Sequence, residues 1–401
     1  MGILFLGEEF LAPSHEWMRH MLEALAEDVA VLCSPDPSCH KYRDRFRTVA
    51  LDSDRTLWTR INRRFGRAPI QRKLAEAAAD PGVDLVLVHY VTTANRFTSV
   101  WRELDRPVFV CCHGYDVTWD LRGQTGAFRP AHRADYREQV RRLGRTVQFI
   151  ANSHHTAQRL LEIDVPAERI HVNYLGVDVP PQPRREVKRS GPLNILYLGR
   201  LVDCKAPDLV IQAFDRACAR GLDATLDIAG DGPLRLTCEL LRARSQFKER
   251  IRMHGAVDAA TGRRLRETAD IFTAHSCRGP ISGQEEAFGV AFVEAMAAGL
   301  PVVTGNNGSL PELIENGVEG ILFEPGDIDA HARAMLDLAY DPQRRHAMGQ
   351  AAWQRAHDHF TTEISTRNLK RILKLHSRIP DALHSCSPLA LSDAESRTVI
   401  E

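Results

Sequence analysis

Residues 286–303, with the sequence EAFGVAFVEAMAAGLPVV, give the clearest indication of the fold. Its middle part is apolar and free of proline, which predicts a buried helix, and its last three residues predict the start of a strand. Phe292 and Met296 lie on the packing face of that helix, whereas Glu294 stands as a carboxylate among apolar neighbours. A buried helix followed directly by a buried strand is typical of a parallel sheet covered by helices.

Short apolar runs alternate with amphipathic stretches over nearly the whole chain. We predict strands at residues 3–6, 29–33, 84–89, 107–112, 147–152, 194–198, 225–229, 251–254, 271–274, 301–303 and 320–323. A polar segment rich in proline near residues 179–185 divides these strands into two groups. The pattern predicts two doubly wound, Rossmann-like α/β domains that face a central cleft, with ligands at the carboxyl ends of the strands.

We predict that the chain has four parts. They are an N-terminal acceptor-side domain at 1–182, a C-terminal donor domain at 183–360, a helix at 361–379 that packs back on the first domain, and an irregular tail at 380–401.

The bulk composition is that of a globular protein without a dominant charge. Lys plus Arg and Asp plus Glu both number 52 in 401 residues, so net charge predicts no nucleic-acid partner. Nine scattered cysteines without paired spacing predict free thiols in a reducing cytosol. No apolar run approaches the roughly 18 residues that span a bilayer, and residues 1–6 predict a strand and not a signal peptide. The expected location is the cytoplasm.

Two carboxylates, Glu286 and Glu294, are separated by seven residues around Gly289 and the apolar helix. A buried carboxylate is costly unless hydrogen-bond donors bind it, and ribose hydroxyls are suitable donors. The helix start near Phe288 and Gly289 directs backbone N–H groups toward an anion. The pattern by itself leaves two interpretations open: a nucleotide site, or an ordinary helix that tolerates one Glu.

Further motifs occur in the order that is found in one enzyme family. Residues 286–294 resemble the E-x7-E signature of the retaining family 4 glycosyltransferases, which have the GT-B fold of two Rossmann-like domains. The other matching motifs are Gly199-Arg200 with Lys205, Gly230-Asp231-Gly232-Pro233, His113-Gly114-Tyr115-Asp116, Gly176-Val177-Asp178 and Gly308-Ser309-Leu310-Pro311-Glu312. The resemblance is collinear over about residues 84–360, so it is more specific than any single motif.

The resemblance implies a hexosyltransferase-type enzyme that moves a sugar from a UDP- or GDP-sugar to a glycan or lipid-linked acceptor in cell-surface polysaccharide or glycolipid biosynthesis. No metal ion is expected, because two cations and a helix start can replace one at the leaving phosphate. No cofactor is expected besides this donor substrate. Arg200 and Lys205 are expected to neutralise the donor diphosphate. Glu286 is expected to hold the donor sugar, Glu294 the ribose, and His113 the sugar from across the cleft. Further donor contacts are expected from Phe288, Gly289, Val290, Asn307 and Gly308, and acceptor-side contacts from Gly7, Glu9 and Asp116.

The chain departs from the family pattern at two places. The loop after the first strand usually carries a Gly-Gly pair, but here Gly7 is followed by Glu8 and Glu9, which affects the expected acceptor geometry. Ala206 replaces the Gly that commonly follows the Lys. Separately, Ser309 and Glu312 have the spacing of a capping box, which predicts that they close the start of their own helix.

Other enzyme classes fit the sequence less well. Residues 230–235 lack the third Gly of a dinucleotide fingerprint, which disfavours a dehydrogenase. Asp-x-Asp patterns at 52–54 and 327–329 lack the context of a metal-dependent transferase, and the second predicts a helix start. A nucleotide-sugar epimerase, a sugar phosphorylase and a non-catalytic nucleotide-sugar sensor remain as alternatives on the same fold.

Residues 41–73 form a basic stretch in this neutral chain. They contain eleven basic and three acidic residues, a net charge of +8, with Leu57, Trp58, Ile61 and Phe65 at helical spacing. A basic amphipathic helix with aromatic residues is typical of a membrane-surface contact. We therefore expect peripheral contact with the cytoplasmic face of an anionic membrane. The alternatives are an ordinary helix with a solvated basic face and a groove for a soluble acidic acceptor.

Overall fold

The computed structural model describes residues 1–7, 16–35, 37–51, 67–119, 131–183 and 191–376. In these residues the strands form two sheets in which all pairings of neighbouring strands are parallel. The first sheet contains β1 (Ile3–Leu6), β2 (Val29–Ser34), β3 (Arg47–Ala50), β4 (Leu85–His89), β5 (Val108–Cys112), β6 (Gln148–Ala151) and β7 (Ile170–Val172). The second contains β8 (Leu193–Leu198), β9 (Ala224–Ala229), β10 (Ile251–Gly255), β11 (Ile271–Thr273), β12 (Val302–Gly305) and β13 (Gly320–Phe323).

All eleven predicted strands are present, with ends that agree within two residues, and the prediction of two Rossmann-like domains is confirmed. Central parallel strands are buried on both faces, so they appear in the sequence as continuous apolar runs. The two strands that were not predicted, β3 and β7, are the edge strands of the first sheet. Both are short, and β3 begins with an exposed Arg, so their sequences lack such a run.

The order of the strands determines where a ligand can lie. The first sheet has the order β3-β2-β1-β4-β5-β6-β7 and the second β10-β9-β8-β11-β12-β13. In each sheet the strands that follow the first strand are added on one side of it, and the later strands are added on its other side. This switch occurs between β1 and β4 in the first sheet and between β8 and β11 in the second. Loops diverge from such a point at the carboxyl ends of the strands and leave a crevice.

Helices cover both sheets. In the first domain they are α1 (Glu16–Ala24), α2 (Arg67–Ala78), α3 (Val91–Arg96), α4 (Thr98–Glu103), α5 (Tyr136–Leu143) and α6 (His154–Leu161). The others are α7 (Pro207–Ala219), α8 (Arg235–Arg244), α9 (Ala259–Thr268), α10 (Val290–Ala297), α11 (Leu310–Leu313), α12 (Ile328–Tyr340), α13 (Pro342–His359) and α14 (Thr362–His376). As predicted, α10 buries the face that carries Phe292 and Met296.

The chain passes between the two domains twice, and the two crossings are hydrogen-bonded to each other. The Val177 N–H donates to the Phe360 carbonyl (2.9 Å), and the Thr362 N–H donates to the Val177 carbonyl (3.1 Å). Beyond the second crossing α14 packs on α1, where Leu373 is buried in the core of the first domain. Lys370 Nζ lies 2.8 Å from Asp28 Oδ2. The last described helix therefore belongs spatially to the first domain.

Three sequence-based predictions fall on residues outside the described ranges. They are the acceptor-side residue Glu9, the central part (52–66) of the basic stretch, and the irregular tail at 380–401. Within the part of the chain that the structure describes, no helix is both long enough and apolar enough to cross a membrane.

Candidate active site

A cavity of about 850 Å³ lies between the two domains. On the side of the first domain it is lined by Trp17, His20 and His113, and the segment 176–182 of the first crossing also borders it. The opposite wall comes from the loop after β8, from α9, and from α10 with the loop before it. The cavity thus lies where both sheets present the carboxyl ends of their strands, as the topology predicts.

The loop after β8 carries the two cations that were predicted to bind the diphosphate, and both line the cavity. The Tyr197 hydroxyl donates to the Arg200 carbonyl (2.7 Å) and holds the loop below an exposed Arg200 side chain. Lys205 forms an ion pair with Glu286, and its Nζ lies 5.3 Å from the centre of the Phe292 ring. An ammonium group has three N–H donors, so this pairing leaves Lys205 able to donate to a phosphate as well.

Two glycines of the Gly230-Asp231-Gly232-Pro233 motif allow a second loop to pack directly on the cationic loop. A Cβ at Gly230 would lie 1.9 Å from the Gly199 carbonyl oxygen, and one at Gly232 would lie 2.6 Å from that of Leu201. Both glycines also have positive φ angles, 147° and 156°. The motif therefore supports the backbone beneath Arg200 and is not only a tight turn.

Glu286 lies in the loop before α10, where the backbone is held on several sides. Its N–H donates to Asn307 Oδ1 (3.2 Å), and its carbonyl accepts from the Ser309 N–H (2.9 Å). A Cβ at Gly308 would lie 2.1 Å from the Glu286 carbonyl oxygen, so only a glycine fits there. Asn307 and Gly308, which were predicted as donor contacts, are absent from the cavity lining formed by the described residues. Their observed contacts place the backbone of Glu286.

Glu294 lines the cavity but is less buried than its apolar surroundings in the sequence suggested. Its side chain is 32% exposed, and Oε2 lies 2.9 Å from Nη1 of Arg266 on α9. Arg266 is only 13% exposed and also lines the cavity. Arg266 was not predicted from the sequence, because it lies 28 residues from Glu294 on another helix and has no motif around it.

For the donor site that the resemblance to family 4 implies, we expect Arg266→Ala to raise the KM for the sugar donor by about tenfold with a smaller change in kcat. A charge-assisted hydrogen bond contributes about 1.5–3 kcal/mol, and Glu294 is far from the reacting bond if it binds the ribose. Steady-state kinetics with varied donor concentration would measure this. Arg264→Ala is the matched control, since Arg264 is exposed on the same helix and donates to Thr261. Equal kinetics for the two variants would contradict a role for Arg266.

His113 lies in an aromatic cluster on the first-domain side of the cavity. Its ring centre is 4.3 Å from that of Trp17 and 4.5 Å from that of Tyr90. The nitrogens His113 Nε2 and His89 Nδ1 are 3.2 Å apart. These contacts fix the orientation of the His113 ring at the cavity wall.

Asp116 supports the His113 loop from below. Its Oδ1 accepts from the N–H groups of His113 (2.9 Å) and Gly114 (2.8 Å), and its Oδ2 accepts from that of Val91 (2.9 Å). Burial raises the pKa of Asp116 to about 6, although the hydrogen bonds from backbone N–H groups act in the opposite direction. Asp116, which was predicted on the acceptor side, is fully buried and absent from the described cavity lining. Its position makes it a support for His113.

Of the other four predicted site residues that the structure describes, one lines the cavity and three do not. Val290, the first residue of α10, lines the cavity, whereas Gly7, Phe288 and Gly289 are not among the described residues that line it. The Phe288 side chain is buried between Tyr174 (ring centres 5.9 Å apart) and Phe360 (6.0 Å). Gly289 adopts φ 85° as the N-cap of α10, which allows the loop to turn into the helix.

The predicted capping box of Ser309 and Glu312 is wrong. Ser309 makes no side-chain cap hydrogen bond to the start of α11. Glu312 instead reaches the other domain, where its carboxylate accepts from the N–H groups of His154 (2.8 Å) and His155 (2.7 Å) at the start of α6. Sequence spacing identified the helix-capping residue but could not show which helix it caps.

The structure shows the backbone conformation of Ala206 and the burial of Cys204, the two residues next to Lys205 in the sequence. Ala206 adopts the left-handed conformation (φ 43°, ψ 58°), which a Gly would adopt at a lower cost in free energy. Burial raises the pKa of the Cys204 thiol to about 11, so the thiol stays protonated near neutral pH. Burial thus outweighs the adjacent cation and disfavours the reactive thiolate form of Cys204.

Two models of glycosyltransferase families match the two halves of this chain. Residues 16–181 match the family model described as Glycosyltransferase Family 4, and residues 178–355 match the model described as Glycosyl transferases group 1. The boundary between the two matches falls in the first crossing, and together they include both walls of the cavity.

The chain is similar to several bacterial transferases. It is 28% identical to a GDP-mannose-dependent alpha-(1-6)-phosphatidylinositol monomannoside mannosyltransferase of Mycolicibacterium smegmatis, over 67% of this chain and 70% of that one. It is 30% identical to the putative colanic acid biosynthesis glycosyltransferase WcaL of Salmonella typhimurium, over 54% of each chain. The chain therefore aligns with about half the length of the second relative.

The fold also occurs in solved structures. The Anabaena protein Alr3699/HepE in complex with UDP superimposes with a TM-score of 0.74, over 94% of this chain and 100% of that one, at 18% identity. The parallel sheets, the interdomain cavity and the two family matches lead to one conclusion: this chain is a glycosyltransferase of family 4 with the two-domain GT-B fold.

Proposed function

We propose that this glycosyltransferase transfers a sugar from a UDP- or GDP-sugar to a glycan or lipid-linked acceptor, with retention of configuration and without a metal ion. The observation that carries the proposal is the composition of the interdomain cavity. Arg200 and Lys205 line it together with Glu286 and Glu294, opposite His113. This arrangement provides cations for a diphosphate and carboxylates for hydroxyl groups within one crevice.

The proposed roles follow from the positions of the side chains. Arg200 and Lys205 stabilise the negative charge that grows on the diphosphate as the sugar–phosphate bond breaks. Glu294, oriented by Arg266, accepts hydrogen bonds from the ribose hydroxyls. Glu286 accepts hydrogen bonds from hydroxyls of the donor sugar. The N–H groups at the start of α10 add favourable partial charge near the phosphates. His113 contacts the sugar from the first domain.

One relative and one solved structure support a nucleotide-sugar donor, but they differ in the base of the nucleotide. The mycobacterial relative is GDP-mannose-dependent, and HepE has been solved with UDP-glucose. A thermal-shift panel of UDP-, GDP- and ADP-sugars would identify the donor for this chain. A ligand at 100 times its dissociation constant stabilises the folded state by about 2.7 kcal/mol, which such an assay resolves. No shift with any of these sugars would contradict the proposal.

Chelation is expected to leave the transfer rate unchanged, and the product is expected to keep the anomeric configuration of the donor. In this proposal the cationic pair and the start of α10 neutralise the leaving phosphate, which is the role that a metal ion has in metal-dependent transferases. Retention is supported by family membership, in which the leaving phosphate helps to deprotonate the acceptor on the same face. The rate with and without EDTA and the NMR assignment of the product anomer test both points. Activity that needs added magnesium, or an inverted product, would contradict them.

We further propose that the enzyme acts at the cytoplasmic face of the membrane, to which the first domain binds peripherally. The described part of the basic stretch exposes Lys41, Arg43 and Arg45 on one short segment. Each Lys or Arg near an anionic surface contributes about 1 kcal/mol to binding.

The chain is therefore expected to float with liposomes that contain phosphatidylserine at low salt, and less so as salt is raised. It is expected not to float with neutral liposomes. The double variant Lys41→Glu with Arg43→Glu should lose flotation, whereas the control Arg102→Glu, at an exposed position of α4, should retain it. Absence of flotation with anionic vesicles at low salt would rule out direct binding and favour a soluble acceptor.

A further inference from the structure

A direct contact between the two domains lies beside the cavity, at the start of α6. The Glu312 carboxylate of the second domain accepts from the N–H groups of His154 and His155, one with each oxygen. The Tyr174 hydroxyl of the first domain donates to the same carboxylate (3.1 Å). A carboxylate at a helix N-terminus satisfies backbone donors and interacts favourably with the helix dipole. Glu312 thus caps a helix that belongs to the other domain.

The same end of α6 also contacts the loop that carries Glu286. The Ser153 hydroxyl donates to the Ala287 carbonyl (2.5 Å), and the Thr156 hydroxyl lies 3.4 Å from it. His155 Nε2 is 3.7 Å from Glu285 Oε2. The residues on both sides of Glu286 in the sequence are therefore in contact with the first domain.

One short segment of the second domain, residues 307–312, joins these contacts. At its beginning Asn307 and Ser309 hold the backbone of Glu286, as described above. At its end Glu312 holds α6. A change in the position of α6 relative to the second domain therefore acts on Glu286 both through Ala287 and through this segment.

We propose that Glu312 is a positioning residue for sugar transfer, which couples the seating of the first domain on the second to the placement of Glu286. The inference rests on the proposed function, because it assigns Glu286 to the donor sugar. A displacement of about 1 Å in a group that positions a substrate can reduce turnover 100-fold. Loss of the Glu312 cap should therefore affect turnover more than it affects binding of the nucleotide.

The contacts of Glu312 separate this role from a contribution to the fold of its own domain. In the described residues, each hydrogen-bond partner of its carboxylate lies in the first domain. Substitution of the side chain thus leaves the hydrogen bonds within the second domain in place. Glu315, three residues further on, is exposed, and Glu315→Gln is a matched control of equal chemistry.

The experiment compares Glu312→Gln, Glu312→Ala and Glu315→Gln with the wild-type chain in three measurements. Hydrogen exchange followed by mass spectrometry reports on the amides of His154 and His155. Calorimetric titration with UDP and with GDP gives nucleotide affinity. Steady-state kinetics with the nucleotide sugar that gives the largest thermal shift in the panel described above gives kcat and KM.

Both Glu312 variants are expected to speed exchange of these amides and to lower kcat by about tenfold or more, because two charge-assisted hydrogen bonds are lost or weakened. The nucleotide dissociation constant should stay within about twofold, and Glu315→Gln should match the wild type in all three measurements. Unchanged kcat, unchanged exchange, or an equal loss in Glu315→Gln would overturn the role of Glu312. Absence of transfer by the wild-type chain with every donor would overturn the proposed function itself, a result distinct from these.

Discussion

Replacement of Lys205 by alanine is expected to reduce kcat/KM for sugar transfer by about 100-fold or more. Removal of one preorganised donor at a site of developing negative charge typically costs a factor of 10² to 10³ in rate. Lys205 is also the ion-pair partner of Glu286, which is only 8% exposed. The variant thus removes the proposed phosphate contact and leaves a buried carboxylate without its cation. Donor-saturation kinetics of the purified variant would measure the effect.

Two controls separate catalysis from folding in this experiment. Lys248→Ala removes an exposed lysine elsewhere in the second domain and should leave kcat/KM unchanged. The double variant Lys205→Ala with Glu286→Gln removes the unpaired charge, so it should regain thermal stability but not activity. A single Lys205→Ala variant that keeps kcat/KM within about threefold of the wild type would show that Lys205 does not bind the diphosphate.

Gly308→Ala is expected to reduce turnover by about 100-fold and to lower the free energy of unfolding by about 2 kcal/mol or more. Its Cβ would lie 2.1 Å from the carbonyl oxygen of Glu286, so one of the two backbones must move. Gly308 also has φ 58°, a left-handed conformation that costs a non-glycine residue about 1–2 kcal/mol. The displaced group is the residue that we assign to the donor sugar, and placement errors of about 1 Å strongly reduce rates.

Gly255→Ala distinguishes crowding from backbone strain. Gly255 has φ 67°, close to that of Gly308, but a Cβ there would have no heavy atom within 4 Å. We expect this control to lose about 1–2 kcal/mol of stability and to keep normal turnover. Chemical denaturation and kinetics of both variants provide the comparison. If both glycine variants retained turnover, the tight packing of residue 308 on the Glu286 loop would have no catalytic importance.

How much of the fold and of the candidate site can be predicted from the sequence depends on how far apart in the chain the interacting groups lie. Central strands such as β1 and β4 were predicted because burial on both faces makes them continuous apolar segments. Arg200 and Lys205 were placed at the cavity because they follow a predicted strand at its carboxyl end. Both inferences use only local sequence and a general rule of sheet topology.

The contacts that sequence analysis missed all join distant segments. Arg266 is 28 residues from Glu294, and Glu312 is 158 residues from His154. The spacing of Ser309 and Glu312 fits a local cap equally well, so local rules favoured the wrong partner. Gly308 was recognised as part of a motif, but its close approach to Glu286 depends on how two loops fold over each other.

The paired crossings at Val177 and Phe360 have a consequence for how the cleft opens. Two connecting segments of the chain join the domains at one place. The two faces of the cleft therefore stay at a high effective concentration with respect to each other. Contacts between the faces therefore form intramolecularly, and each can be individually weak and still be populated. We therefore expect that the loss of any single contact between the faces, such as that of Glu312, weakens the closed arrangement but does not abolish it.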